Sequence, residues 1–433
     1  MIRLLILLFG LEPIYRKWRL FSAAGLFWVA LGGFLIIDAL DGKTLIHAHY
    51  FGYLIIPEAC VCAILAAAKH KAVKMIHLVQ SIFLSLLSLL IISGEPKSHI
   101  LVAFIFGTYF LFNGIFRVGS AWVIRFPNWR WGVIRGWLEI LLAFITIQPW
   151  PTFYSGTIGF TVGALTLLGG ISLVAITLGV KFSNISAEKF KIVKHGVVTT
   201  MKNERVGPTK PLAVHIWRPR GASRKTVHGR VINRYIAAID SDGTVSTGHA
   251  ALEMGEDIYI SHYPADDLDR GAGEFISMLK ATRDNDMAGR FLDSYAEESS
   301  QWVPSSDRIH FADFDAERLH AFWAEYRKDE CYNLTRRNCS TAVAAALDAA
   351  LEGVLSKYDR PLVLAVKILL APEFWVAVLI RKKAEAMTWT PGLVLDYARS
   401  LSVIISGVSN NNSIVKMQKL KESFQFIQLN KSQ

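Results

Sequence analysis

Apolar positions run in nearly unbroken blocks from residue 20 to residue 180, whereas beyond residue 210 they alternate with polar ones. The blocks lie at about 20–40, 50–68, 75–93, 100–123, 131–149 and 155–180. Each is near the roughly 20 residues a helix needs to cross a bilayer core. The pattern predicts a six-helix transmembrane domain over 20–180. Gly-Glu-Pro (94–96) and Gln-Pro-Trp-Pro (148–151) close the third and fifth blocks. The segments FWVALGGFLIIDAL, TYFLFNGIFRVGS and TVGALTLLGGISL share a small-residue spacing that lets helices approach closely, which predicts three tandem hairpins. Such Gly-rich spans also suit a homo-oligomer. Residues 1–19 begin with an apolar run like that of a signal peptide. Pro13 and the cluster Arg16, Lys17, Arg19 then stand where a cleavage site would lie, so this stretch reads as a retained interfacial lead-in.

After a polar, basic linker (181–210), LAVHIW (212–217), VINRYIAAID (231–240), TVSTGHAALEM (244–254) and IYISHYP (258–264) read as strands separated by Asp-Gly and Gly-Glu-Asp turns. IHFADF (309–314) leads into a helix with Asp315 as N-cap, and the loop CYNLTRRN (331–338) into a second helix, CSTAVAAALDAALEGV (339–354). Strands followed by helices predict an α+β domain over 211–358. Residues 359–408 are apolar but broken by Lys367, Pro372 and Glu373. They read either as an interfacial helical pair, with Arg381, Lys382 and Lys383 at anionic head groups, or as helices completing the α+β core. The Asn-rich 409–433 stretch reads as a tail.

Composition agrees with a divided chain of two or three domains: 433 residues, 52% hydrophobic and only 19% charged. The net charge of +11 would suggest a nucleic-acid partner in a soluble protein. Here it follows the loops instead. Basic residues flank the first span (Arg16, Lys17, Arg19) and occupy alternate loops (Lys69, Lys71, Lys74; Arg125, Arg130; Lys181, Lys189), while the other loops carry only Lys43 and Lys97. The positive-inside rule then puts both termini and the α+β domain in the cytoplasm; the expected location of the spans is a bacterial inner membrane. Four cysteines (Cys60, Cys62, Cys331, Cys339) exclude a disulfide scaffold for this length, and Cys331 reads as an inert thiol. No metal or nucleotide motif stands in a supporting context, so no cofactor is implied.

Together with the loop Arg-Phe-Pro-Asn-Trp-Arg-Trp (125–131), the repeated small-residue texture of the spans resembles the HdeD-type acid-resistance membrane proteins, which implies a six-span architecture. Polar residues within the spans invite a proton-responsive role, foremost Glu58 beside Pro57. The alternative reading makes Arg135 and Glu139 a local i,i+4 pair and lets Arg117 snorkel to the membrane face.

Candidate chemistry concentrates at Cys339. It opens an Ala-rich helix, whose N-terminal N–H groups and dipole favour an anion, and Arg336 and Arg337 precede it. That setting lowers a thiol pKa and can stabilise an oxyanion. His249 and His262 fall on adjacent strands of one predicted hairpin, so that one imidazole would take the thiol proton and the other orient it. Against this stands the plainer reading of a buried small residue and two structural histidines.

The ensemble H-AALEMGEDIYIS-H-YP followed by YNLTRRNCSTAV resembles the circularly permuted papain-like enzymes of NlpC type, in their lecithin:retinol acyltransferase-like branch. The resemblance covers about residues 210–355. It implies Cys339 as nucleophile, His249 as general base and His262 as its polar partner. Two departures are visible: the histidines are thirteen apart, one more than usual, and Ser340-Thr341 replace bulkier residues. The expected function is that of a membrane-anchored thiol acyl hydrolase or acyltransferase acting on membrane phospholipid through an acyl-Cys intermediate. The alternatives are a cysteine peptidase or amidase, and a non-catalytic stress-response membrane protein.

Overall fold

The computed structural model describes residues 1–10, 12–40, 45–68, 71–126, 129–148, 153–182, 211–218, 238–239, 245–246, 248–266, 278–358 and 361–408. The expected linker, apart from residues 181–182, and the tail from 409 lie outside these residues. Of the 231–240 strand only Ala238–Ile239 is described.

Two short helices, α1 (Ile2–Phe9) and α2 (Glu12–Arg16), precede six long ones. These are α3 (Trp18–Leu40), α4 (Ala48–Ala68), α5 (Lys71–Ser93), α6 (Pro96–Ile124), α7 (Trp129–Ile147) and α8 (Thr157–Phe182). Three of the apolar segments, Trp18–Leu40, Pro96–Ile124 and Tyr154–Phe182, are long and apolar enough to cross a membrane. A pair bent by 69°, Val363–Leu369 with Pro372–Ala386, makes a fourth only if counted as one span. By length and apolarity the described residues therefore contain three to four candidate spans, a coarser result than the six expected. The charged side chains Arg130, Arg135 and Glu139 set α7 apart from the three.

The helices pair as α3 with α8, α4 with α5 and α6 with α7. This corrects the expected tandem hairpins by one helix: two hairpins are shifted in phase, and the first long helix closes against the last. Matched small residues explain it. A Cβ at Gly32 on α3 would lie 2.7 Å from the Gly163 carbonyl of α8, and one at Gly114 on α6 would lie 2.7 Å from the Gly136 carbonyl of α7. Only glycine permits that approach. On α5, Ser81 and Ser88 donate to the Ala59 and Gly52 carbonyls of α4, each at 3.0 Å. The close crossing at Gly114 and Gly136 also decides the partner of Glu139. It takes Arg117 across the helices at 3.2 Å and accepts a hydrogen bond from Asn113. The expected pair along α7 with Arg135 gives way to this interhelical one.

Beyond residue 210 a four-stranded antiparallel sheet forms from β1 (Leu212–Trp217), β4 (His249–Met254), β5 (Ile258–Ile260) and β8 (Asp307–Phe311), in the order β5-β4-β1-β8. A two-stranded ribbon joins β2 (Ala238–Ile239) and β3 (Val245–Ser246). A second sheet orders β6 (His262–Pro264), β7 (Met287–Phe291) and β9 (Cys331–Tyr332). The helices are α9 (Tyr295–Gln301), α10 (Ala316–Tyr326, capped by Asp315 as expected), α11 (Cys339–Leu351), α12 (Pro361–Leu369), α13 (Pro372–Ala386) and α14 over 391–408.

The alternation of β1 places Leu212, Val214 and Ile216 on one face, where Leu252, Ala346, Leu347 and Ala350 complete a single core. Two further segments enter that core. Leu364, Ile368, Phe374 and Ala377 of α12 and α13 join it, as do Tyr397 and Leu401 of α14. The core-completing reading of 361–408 is thus the one that describes the inner faces of these helices. Leu4 and Leu8 of α1 are also buried there. The N–H groups of Gly353 and Leu355 donate to the Leu7 and Leu8 carbonyls at 2.7 and 2.9 Å. The expected interfacial lead-in therefore packs through α1 as a core element of the C-terminal unit.

Candidate active site

The sequence Asn338-Cys339-Ser340-Thr341 builds its own helix start. The Asn338 side chain accepts from the Thr341 N–H at 2.8 Å, and the Asn338 N–H donates to Thr341 Oγ1 at 2.7 Å. Such reciprocal bonds form a capping box. Cys339 is consequently the first residue of α11, with its own N–H and that of Ser340 at the open end of the helix. The Asn338 amide also donates to the Leu334 carbonyl at 2.6 Å, which ties the loop before the cysteine to the cap.

His249, at the start of β4, lies close enough to the Cys339 thiol for their charges to act on each other, and the neighbouring Ala250 N–H is turned toward the same sulfur. The other side of the imidazole is equally occupied. His249 Nε2 lies 2.8 Å from Ser261 Oγ and 3.3 Å from Glu298 Oε1, leaving Nδ1 for the thiol. Tyr263 stacks on the ring at 4.0 Å and donates from its hydroxyl to Glu298 Oε1 at 2.7 Å. Tyr259 donates to the other Glu298 oxygen. Cys339, His249, Ser261 and Glu298 are all buried.

The electrostatics follow from this packing. Burial alone would push the Cys339 thiol up, but the charge and hydrogen bond of His249, with the Ser340 hydroxyl and the Ala250 N–H, hold it below its ordinary value. For His249 burial works against the charged form, and Cys339 and Glu298 outweigh it to raise the imidazole. The two shifts favour a thiolate–imidazolium pair. Burial, followed by the Glu298 charge, pushes the Tyr259 and Tyr263 hydroxyls far up, so both stay protonated donors.

The structure brings Cys339 and His249 together and gives His262 different company. Register is the reason. β4 and β5 pair with Leu252 opposite Ile260 and Glu253 opposite Tyr259. Carried to the strand ends, that register sets Tyr263 opposite His249 and His262 opposite Ala250. An offset of one residue turns a side chain to the other face. His262, on β6, instead packs among Phe291, Tyr332 and Tyr326, with Nδ1 3.2 Å from the Tyr326 hydroxyl. Burial, then the Arg337 charge, pushes its pKa down to about 4.

The arginines before Cys339 also serve elsewhere. Arg336 pairs with Asp286, and Arg337 donates to the Cys331 and Tyr326 carbonyls at 2.8 Å while its guanidinium covers the Tyr326 ring at 3.9 Å. Cys331 is a free thiol, raised first by burial and then by Asp286.

Glu298, Tyr259 and Ser261 were not legible as site residues. Ser261 and Tyr263 flank His262 in ISHYP, so the segment was legible and the register was not. Glu298 belongs to the polar helix Tyr-Ala-Glu-Glu-Ser-Ser-Gln, N-capped by Ser294, and nothing in that string separates it from Glu297. A triad-like set Cys339–His249–Glu298 results, able to generate a thiolate, hold the base's tautomer and present helix N–H groups to an oxyanion. Comparison with protein-family models, curated proteins and solved structures returns no match to this chain.

Proposed function

We propose that this protein is a membrane-anchored, cysteine-dependent acyl hydrolase or acyltransferase acting on membrane phospholipid. The observation that carries the proposal is the pairing of the buried Cys339 thiol, at the start of α11, with the nearby His249 imidazole, itself held by Glu298 and Ser261. His249 takes the thiol proton and the thiolate attacks an ester carbonyl, whose oxyanion faces the first N–H groups of α11. His249 then protonates the departing lysophospholipid oxygen, leaving an acyl-Cys339 thioester. Water, or an acceptor hydroxyl or amine, gives its proton to His249 and attacks the thioester, and the regenerated thiolate leaves. Glu298 keeps Nε2 protonated and the ring aimed at sulfur.

Attachment to apolar helices favours lipid over peptide, because it confines the thiol to a surface rich in acyl esters. The six-span topology with a cytoplasmic catalytic unit, in a bacterial inner membrane, is part of the proposal. The basic loops support it, and so does α1. A first helix seated in the core of the C-terminal unit requires the chain between them to return to its starting side, hence an even number of crossings. The permuted papain-like assignment rests on the order of His strand before Cys helix.

A thiol-directed activity probe on membranes, competed by phospholipid or by peptide, tests the reading. Labelling of Cys339 blocked by phospholipid is expected. Labelling blocked only by peptide would favour a peptidase or amidase, and none at Cys339 would remove the enzyme reading.

A further inference from the structure

The helices α12 and α13 carry two apolar faces, and the core accounts for one. Leu364, Ile368, Phe374 and Ala377 are buried against the sheet and α11. Their opposite face exposes Val363 (51%), Val366 (55%), Leu370 (44%) and Leu379 (59%). Val363, Val366 and Leu370 fall at i, i+3 and i+7, one stripe of a helix. A stripe of large aliphatics beside a core already complete calls for an apolar partner.

Its neighbours identify that partner. The Lys383 ammonium lies 5.9 Å from the centre of the Phe116 ring on α6. Lys382 is within electrostatic reach of Arg117 and Glu139, on α6 and α7, and Glu373 is within reach of Cys62 on α4. Phe116 sits about 12 Å along the helix from the end of α6 at Ile124, and Cys62 about 9 Å from the end of α4. Both ends of α13 are thus level with the bodies of α6 and α4 and within about 12 Å of the ends where these helices terminate on one side. The α6 surface around this contact is itself apolar and outward-facing, with Phe112 68% and Phe116 42% exposed.

We infer that α12 and α13 form a wedge seated in one leaflet, with the stripe Val363–Val366–Leu370 and Leu379 in contact with acyl chains and the inner face closing the catalytic core. The wedge enters and leaves on one side. Arg381 returns α13 to the core by bonding Asp348 of α11 and the Tyr397 hydroxyl of α14, each at 2.9 Å. A seventh crossing is therefore not required, and Arg381, Lys382 and Lys383 stay on the side of the other basic loops. Lys367, exposed next to Val366, has the length to reach head groups. Lipid contact does not depend on the thiol chemistry.

The test uses the full chain in vesicles of phosphatidylethanolamine and phosphatidylglycerol. A benzophenone amino acid replaces Val366, Leu379 or, as a control, the exposed His320 of α10. Lipid adducts about tenfold more abundant at 366 and 379 than at 320 are expected, unchanged by Cys339→Ala. Adducts to water-soluble quencher, or to a second copy of the chain, at 366 and 379 would overturn the wedge. If a benzophenone position prevents folding, nitroxides at the same positions, in a chain with its four cysteines replaced by serine, read the same contact. Oxygen exceeding a nickel chelate as relaxant supports lipid contact, and the reverse refutes it. Loss of probe labelling at Cys339 with lipid adducts intact would refute the enzyme alone.

Discussion

Glu139 and Glu298 hold similar positions in two unlike regions. One lies between the long helices and the other behind the His249 imidazole, and each takes partners from other elements. Glu139 meets Arg117 and Asn113 across the α6–α7 crossing. Glu298 collects Tyr259, Tyr263 and His249 from the strands it covers. In both cases sequence spacing suggested a different arrangement, Arg135 along the same helix and His262 across the hairpin. The difference lies in what the carboxylate does. Between the helices it satisfies a cation and holds two segments together, whereas behind His249 it fixes the direction of a ring that stands beside a thiol. A buried acid is mechanistic when its partner has a second reactive contact.

The largest effects should come from the ring and its target. Cys339→Ala and His249→Ala should each lower turnover of a phospholipid ester by roughly 10⁴-fold or more, read as release of fatty acid. Glu298→Gln keeps the size of the side chain and removes the charge. It should lower kcat on the order of 10²-fold with KM little changed, and it should move the pH profile of the thiol toward ordinary values. If Glu298→Gln acts on stability alone, the two glutamates are equivalent and the comparison fails.

Glu139→Gln tests the other side. It leaves Arg117 without its counter-charge and should weaken the α6–α7 association by about 1 kcal/mol. Thermal unfolding in detergent would show this, with Cys339 labelling unaltered. A fall in labelling would make the membrane cluster part of the site.

His262 gives a graded acid response. Its folded pKa of about 4 is below the ordinary value of 6.5, so between those pH values the unfolded chain binds more protons than the native one. The stability associated with a neutral His262 is complete above about pH 6.5 and is lost as pH falls toward 4, a total on the order of 3 kcal/mol. His262→Gln should flatten that acid limb while changing Cys339 labelling less than about threefold. A large change in labelling would return His262 to the site.

How much of this was legible follows from the range of each signal. The apolar blocks fixed helices within a few residues, because spanning length is a local property. Helix partners were not legible, since the match of Gly32 to Gly163 depends on rotation about two axes. The helix start at Cys339 was placed from the sequence, and it is a local property because the Asn338–Thr341 cap is made within four residues. His249 was found by its place on a strand. His262 was misplaced because one residue of register inverts a face, and register is set at the Gly255 turn, with its positive φ of 56°. Glu298 was invisible because its burial is created by Tyr259 and Tyr263, strands away.

The central claim is that His249 holds the Cys339 thiol below its ordinary pKa, and the rate of iodoacetamide alkylation against pH tests it most directly, with Cys331 as internal control. Cys339 should react at a rate that persists well below the ordinary thiol pKa, while Cys331 reacts only in alkali. His249→Ala should abolish the difference. Coincident profiles for the two cysteines in the unaltered protein, insensitive to His249→Ala, would contradict the account.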